Sequence, residues 1–401
     1  MYEKQEMTPR ERIMTACRGG IPDRVPATPD ISIMVPIKLT GKPFWEIEVN
    51  GDPDTTFAYI NAVKHFGIDG WMFNGTLKYI RKSEVIYEEK VIKKTPEYWE
   101  MVTTAHTPDG DLTQMSFHPR NDPLAVTKRF VKDIRSDFKK LKHFYSQIVS
   151  YDDSEYKLQK QAMGEKGMIC VYIDPPGLQN YITWMDLESL SYAYYDHPDL
   201  FEELIALHEK SAVQKTEMAI DAGVESVLTG GSGSITLQSP DLFRKLSLPT
   251  IKKITKMCRE AGIISGIHSC GKEYYVVETC ANETDLDYIN PLEITPMGDC
   301  DLKNVKDKFG HKLALMGNLH TTDVMLRGSV EDVRRESLKA IRDAGTNGGF
   351  ILSTGDQCGR DTPFQNISEM VETCKKFGKY PLDMDRIENE INKLERHRYD
   401  T

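Results

Sequence analysis

The segment Ile263-Ile264-Ser265-Gly266-Ile267-His268-Ser269-Cys270-Gly271 carries an imidazole and a thiol two residues apart. Its apolar, β-branched start predicts a strand that ends at His268. Because side chains alternate between the two sides of an extended chain, His268 and Cys270 can face one point. An imidazole and a thiolate directed at one point suit zinc. The pair alone is a weak signal for metal, and a buried cysteine beside a helix-capping histidine is the more common explanation of such a pair.

A third ligand is expected in Gly355-Asp356-Gln357-Cys358-Gly359, directly after the last predicted strand. Cys358 precedes a predicted helix that starts at Thr362, and the positive end of that helix dipole should favour the thiolate. Loops that follow different strands of a closed barrel meet at one rim, so Cys358 can join His268 and Cys270 there. The remaining cysteines are better explained by packing or lie in less clear positions; they are Cys17, Cys170, Cys258, Cys280, Cys300 and Cys374.

Further polar residues follow predicted strands at the barrel end where active sites form. The catalytic candidates are Asp174, Glu293 and Asn318. Asp174 and Glu293 are expected to position a substrate or manage a proton, and Glu293 could be a fourth, displaceable zinc ligand. Capping or bracing of loops is the alternative role for each residue. The loop after the fourth strand has backbone amides that could approach a bound cofactor closely. Its residues are Gly231, Ser232 and Gly233.

Eight short apolar runs alternate with segments of helical period, as in a parallel sheet built from βα units. The predicted strands are Arg24–Asp30, Gly67–Asn74, Met168–Asp174, Glu225–Thr229, Ile263–His268, Leu286–Pro291, Leu313–Asn318 and Gly349–Thr354. Eight parallel strands close into a barrel, so the predicted fold is a (β/α)8 TIM barrel in one domain over residues 1–401.

About 95 residues separate the second and third predicted strands, too many for one helix and two loops. We predict an insertion at 78–165 that contains a β-hairpin turning at Thr107-Pro108-Asp109-Gly110, followed by a helical stretch. Because it emerges after a strand, it is expected to form a lid over the C-terminal face of the barrel.

Composition excludes several classes of protein. The chain has 401 residues, of which 39% are hydrophobic and 28% charged, as in a globular protein with a sizeable core. Its net charge of −10 and lack of a basic tract argue against a nucleic-acid partner. The sequence has neither an apolar run of membrane-spanning length nor an evident signal peptide, so we expect a cytoplasmic protein. A homodimer is compatible with the sequence.

Several motifs resemble those of a known family. Two motifs are similar to the N-terminus of the uroporphyrinogen decarboxylase superfamily, whose members are TIM barrels. They are Arg10-Glu11-Arg12-Ile13 and Pro22-Asp23-Arg24-Val25-Pro26. Three further motifs resemble its zinc-dependent corrinoid methyltransferase branch: His268-Ser269-Cys270-Gly271, Met316-Gly317-Asn318 and the stretch from Cys358 to Asn366. The resemblance implies Zn²⁺ bound by His268, Cys270 and Cys358.

The same resemblance implies removal of a methyl group from a small methylated substrate, with transfer to a corrinoid. The long insertion is similar to that of catabolic O-demethylases, which implies a methoxylated aromatic substrate. Because the chain lacks a D-x-H-x-x-G cobalamin-binding pattern, a partner protein is expected to carry the corrinoid.

Three alternatives stay open. The same zinc ligands could activate a thiol such as coenzyme M, with a methylcorrinoid as the methyl donor. A decarboxylase is disfavoured because Ala27-Thr28-Pro29-Asp30-Ile31-Ser32 replaces the arginine-rich segment that binds substrate carboxylates in those enzymes. A non-catalytic zinc-binding protein is the alternative from another class.

Overall fold

The structure is a computed structural model that describes residues 6–399, with side chains described through residue 396. Within that range thirteen strands form. They are β1 (Gly70–Gly75), β2 (Lys78–Arg81), β3 (Ile86–Lys94), β4 (Tyr98–Thr107), β5 (Gly110–Pro119), β6 (Ala125–Lys128), β7 (Ile148–Asp152), β8 (Gly167–Tyr172), β9 (Ser226–Gly230), β10 (Ile264–His268), β11 (Tyr288–Asn290), β12 (Ala314–Leu319) and β13 (Phe350–Thr354).

Helices connect and surround these strands. In chain order the α-helices are α1 (Pro9–Cys17), α2 (Met34–Thr40), α3 (Phe44–Glu48), α4 (Thr55–Phe66), α5 (Ile134–Lys142), α6 (Ser154–Met163), α7 (Leu187–Asp196), α8 (Pro198–Asp221), α9 (Pro240–Leu242), α10 (Leu248–Ala261), α11 (Tyr274–Glu283), α12 (Leu302–Phe309), α13 (Val330–Ala344), α14 (Phe364–Phe377) and α15 (Met384–Tyr399). Short 3₁₀ turns span His143–Tyr145, Gly164–Lys166 and Gly177–Thr183, and π-turns span Phe243–Ser247 and Thr321–Leu326. No helix between residues 6 and 399 combines the length and apolar character required to cross a bilayer.

Seven strands form one parallel sheet in the order β1-β8-β9-β10-β11-β12-β13. Every neighbouring pair is parallel, and His268 lies opposite Gly230 on one side and Asn290 on the other. Runs of apolar residues form these strands because both faces are buried, one by the barrel interior and one by the surrounding helices. The predicted TIM-barrel fold is confirmed.

The prediction of a regular first strand over Arg24–Asp30 is wrong. The segment forms two isolated bridges, an antiparallel one between Arg24 and Lys379 and a parallel one between Ala27 and Leu352. Pro26 and Pro29 have no N–H to donate, so a continuous ladder cannot form. The segment nevertheless closes the barrel: the Thr28 N–H donates to the Leu352 carbonyl at 2.8 Å, and the Ala27 carbonyl accepts from the Asp69 N–H at 2.9 Å.

The barrel interior is packed at its N-terminal end. Side chains from the strands, among them Met168, Leu228 and Tyr288, form one buried cluster with Ile13 of α1. Helix α1 therefore plugs this end. The Trp71 indole N–H donates to the Tyr288 hydroxyl at 2.9 Å, which satisfies both polar groups within the apolar layer. The C-terminal end of the barrel is therefore the end at which an active site can form.

The predicted insertion between the second and third barrel strands is present. Strands β3 to β6 form an antiparallel sheet, and β4 and β5 are joined at the predicted turn, where Thr107 pairs with Gly110. A second small sheet pairs β2 with β7. The position of a lid over the barrel stays a prediction.

Candidate active site

Strand β10 delivers His268 to the C-terminal end of the barrel, and Cys270 follows in the next loop. The ligand atoms of His268, Cys270 and Asp356 all lie within 4.8 Å of one another, and residues 6–399 contain no other such group. The Gly233 N–H donates to the Cys270 carbonyl at 3.0 Å, so the loop after β9 holds the backbone at Cys270. The sequence-predicted pair therefore converges on one point, with a carboxylate added.

Cys358 lies outside this group of three. Its thiol is buried, and its N–H donates to the Asp30 carbonyl at 2.8 Å. Burial raises the pKa of Cys358 to about 12, and the charges of Asp30 and Asp356 act in the same direction. Helix α14 begins at Phe364, two residues later than the predicted start at Thr362, and stabilisation of the thiolate by this helix stays a prediction.

Asp356 is not among the ligands predicted from the sequence, because its position depends on an unusual backbone conformation. It occupies the loop between β13 and Cys358 with φ of 112°, a region that non-glycine residues rarely adopt. The Thr354 hydroxyl donates to the Asp356 carbonyl at 2.7 Å and holds this turn. The carboxylate oxygen lies 3.8 Å from the His268 Nε2 atom. A strained residue that points at a histidine and a cysteine is typical of a functional site.

Two further carboxyl groups surround the same point. Asp30 is buried at the end of the irregular first barrel segment, and its Oδ1 atom accepts the Ser32 N–H at 3.0 Å. Burial raises the pKa of Asp30, and the charge of Asp356 raises it further. Burial likewise raises the pKa of Glu293, and Asp356 again adds to the effect. Carboxyl groups crowded in this way favour a bound cation, which would offset their mutual repulsion.

The side chains of Glu293 and Asn318 form hydrogen bonds with the backbone of loops in this structure. A Glu293 carboxylate oxygen accepts the Gly271 N–H, immediately after Cys270. The Asn318 amide donates to the Leu292 carbonyl at 3.2 Å, and both side chains border one small cavity. Their predicted catalytic roles are not tested by these contacts.

A larger cavity of about 520 Å³ opens beside His268. It is bordered by the ends of the third and fourth barrel strands and by the insertion, and its aromatic lining consists of Tyr87, Phe144, Tyr145, Tyr172 and Trp184. Gly231 and Ser232 also line it, whereas the Gly233 amide is already bonded to Cys270. A volume of this size with aromatic walls suits a small planar ligand.

Charged groups occupy one part of this cavity. Asp174 lies two residues beyond the end of β8, in the following loop, whereas the predicted strand extends to Asp174. Its carboxylate binds the Lys215 ammonium of α8 at 2.5 Å. Although burial opposes ionisation, Lys215 and neighbouring positive groups lower the pKa of Asp174. Arg81 of β2 lines the same cavity, and burial lowers its pKa. His208 of α8 lies behind them, where burial lowers its pKa to about 4.

Arg81, Lys215 and His208 were not predicted from the sequence. Arg81 belongs to the insertion, and Lys215 and His208 lie seven residues apart on a long amphipathic helix, where charged and polar residues usually face solvent. That spacing places both on one helix face, but only the fold shows that this face borders the cavity.

Comparisons with known proteins place this geometry in context. A family model described as uroporphyrinogen decarboxylase (URO-D) matches residues 135–377, more than half of the chain. A uroporphyrinogen decarboxylase of Protochlamydia amoebophila is 24% identical over 198 residues, which cover 48% of this chain and 50% of that protein. A methylcobamide:CoM methyltransferase of Methanosarcina acetivorans is 25% identical over 159 residues, which cover 39% of this chain and 44% of that protein. The chain thus spans about half the length of the curated relatives it matches.

A solved structure described as a methyltransferase from Methanosarcina mazei superposes with a TM-score of 0.64. The superposition covers 93% of this chain and 99% of that chain at 16% sequence identity. At this identity the similarity establishes the shared fold.

Proposed function

The chain belongs to the uroporphyrinogen decarboxylase family, and from that premise we propose that it is a zinc-dependent methyltransferase that demethylates a small methoxylated aromatic compound. The methyl acceptor is the reduced corrinoid of a partner protein. The observation that carries the proposal is the convergence of His268, Cys270 and Asp356 within 4.8 Å, where His268 also lines a cavity with aromatic walls.

The donor set fits zinc. We propose His268, Cys270 and Cys358 as ligands, because zinc prefers imidazole and thiolate donors and two thiolates leave the complex near neutral. Asp356, two residues earlier in the same loop, is the alternative third ligand. Bound zinc would supply a Lewis acid that stabilises negative charge on a leaving atom. Glu293 holds the Gly271 N–H and so positions the loop that carries Cys270.

The cavity supports the substrate assignment. Its aromatic walls can stack against a substrate ring and exclude water from the reacting atoms. When a methyl group leaves an ether oxygen, the bonding electron pair stays on that oxygen, which therefore needs a hydrogen-bond donor. The Lys215 ammonium, held by Asp174, has N–H groups left to serve a substrate oxygen.

A second candidate reaction uses a methylcorrinoid as methyl donor and a thiol as acceptor. Its support is the similarity to a methylcobamide:CoM methyltransferase, since zinc can activate a thiol with the same ligands. Decarboxylation of a polycarboxylate is less well supported, although the matched relatives include a decarboxylase. Among the described residues that line the cavity, the cations are Arg81 and Lys215, and Asp174 already neutralises Lys215.

The test is a methyl-transfer assay on the full-length protein loaded with zinc. One arm contains cob(I)alamin with 4-methoxybenzoate or methoxybenzene, and phenol release is measured by chromatography. The other arm contains methylcobalamin and coenzyme M. We expect phenol release that is lost in His268→Ala and kept in His311→Ala, an exposed histidine at the opposite end of the barrel.

Each other outcome counts against the proposal. Transfer only in the coenzyme M arm would establish the second candidate reaction instead. Wild-type rates in a zinc-free preparation, or in His268→Ala, would refute the metal-dependent mechanism.

A further inference from the structure

The aromatic cavity contains a positive charge that the protein does not neutralise. Arg81 and Lys215 line it together with one carboxylate, Asp174. The Lys215 ammonium and the Asp174 carboxylate form an ion pair at 2.5 Å. Between residues 6 and 396, no carboxylate oxygen lies within 4.0 Å of the Arg81 guanidinium.

Arg81 is nevertheless held in a fixed position. Its Nη1 group donates to the Ser146 carbonyl at 2.6 Å, and its Nη2 group donates to the Ser211 hydroxyl at 2.9 Å. Both partners are neutral, so these bonds orient the guanidinium without cancelling its charge. Since a guanidinium has five N–H donors, three are left for a ligand.

Asp174 is the carboxylate whose charge acts on Arg81, and it is already paired with Lys215. His208 has both ring nitrogens buried without a hydrogen-bond partner, and burial favours its neutral form. The neighbouring walls are the rings of Tyr87, Phe144 and Tyr145. A cation kept in an aromatic cavity costs desolvation free energy, which a bound anion offsets.

Resting on the proposed function, we propose that the substrate is an aromatic acid, a methoxylated ring whose carboxylate pairs with Arg81. The planar fork of a guanidinium matches a carboxylate and can bind it with two parallel hydrogen bonds. The aromatic walls hold the ring between Arg81 and the His268 end of the cavity. Arg81 is therefore the residue that selects an anionic substrate over a neutral ether.

The experiment is isothermal titration calorimetry of the full-length protein with 4-methoxybenzoate and with its neutral isostere, 4-methoxybenzamide. We expect the acid to bind at least about tenfold more tightly, or about 1.4 kcal/mol. Arg81→Gln should remove this preference by weakening the acid alone, and Arg81→Lys should restore part of it. Arg135→Gln, an exposed arginine of the same insertion, is the matched control and should bind as the wild type does.

Thermal unfolding of each variant separates folding from binding, and Arg81→Lys keeps the test informative if Arg81→Gln unfolds. Equal affinity for acid and amide, no binding of the acid, or an unchanged preference in folded Arg81 variants would overturn the inference. Because calorimetry does not require methyl transfer, Arg81-dependent binding without phenol release would count against the proposed function alone.

Discussion

The ion pair of Lys215 and Asp174 offers a quantitative test of the polar part of the cavity. The two side chains are 12% and 40% exposed, and their charged atoms are 2.5 Å apart. Removing one partner from a fully buried pair costs about 3–5 kcal/mol. Because water reaches Asp174 and screens the pair, we expect Lys215→Met to lower the free energy of unfolding by about 1–2 kcal/mol.

The pH dependence of this loss has a defined sign. Against the effect of burial, Lys215 holds the pKa of Asp174 below its ordinary value. A depressed carboxyl pKa stabilises the fold above the unfolded pKa of about 3.9, and this stabilisation is lost as pH falls through the lower, folded value. The difference between wild type and Lys215→Met should therefore be full at pH 7 and shrink below about pH 4.

Urea unfolding followed by circular dichroism measures these effects. The matched variants are Asp174→Asn and the double variant Lys215→Met/Asp174→Asn, which should recover part of the stability because no carboxylate is left unpaired. The double-mutant cycle should give an interaction of about 1–2 kcal/mol at pH 7. An interaction below about 0.5 kcal/mol would refute the claim that these residues act as a pair.

Two predictions concern the barrel itself. Arg12→Ala should lower the free energy of unfolding by about 3 kcal/mol in urea titrations. The reason is that the Arg12 guanidinium binds Asp23 and Asp69, both at 2.6 Å. A loss below about 1 kcal/mol would contradict this prediction. Gly266→Ala should cost about 1–3 kcal/mol, because an added methyl group would overlap the Tyr288 ring inside the barrel. Unchanged thermal unfolding of that variant would show that the ring can shift.

The sequence was sufficient to predict most of the barrel. Strands β8 to β13 were recognisable because burial on both faces requires short apolar runs, as in Met168–Tyr172. The predicted strand at Arg24–Asp30 failed as a regular element, since its prolines interrupt the ladder while its remaining polar groups still close the sheet. The hydrophobic pattern of a segment indicates that it is buried. It does not indicate whether the segment has the backbone N–H groups that a strand ladder needs.

The site was predictable where a regular strand determines the direction of a side chain. His268 is the last residue of β10, so the alternation along that strand predicts the direction of its side chain. Cys270 lies two residues further on, in the loop, where its carbonyl accepts the Gly233 N–H and its thiol converges with His268. The loop after β13 has no such periodicity, and the positive φ of Asp356 turns its carboxylate toward His268, which spacing alone cannot indicate. Arg81 reaches the cavity through the packing of an insertion, a tertiary contact without a local signal.

The most direct test of the central claim is the metal content of the purified protein by inductively coupled plasma mass spectrometry. We predict one zinc per chain in the wild type and in Cys374→Ala, a cysteine buried in helix α14. Zinc should be lost in His268→Ala, Cys270→Ala and Cys358→Ala and kept in Asp356→Asn. Loss in Asp356→Asn with retention in Cys358→Ala would assign the third ligand to Asp356. A zinc-free wild type, or full zinc in Cys270→Ala, would contradict a metal centre at this end of the barrel.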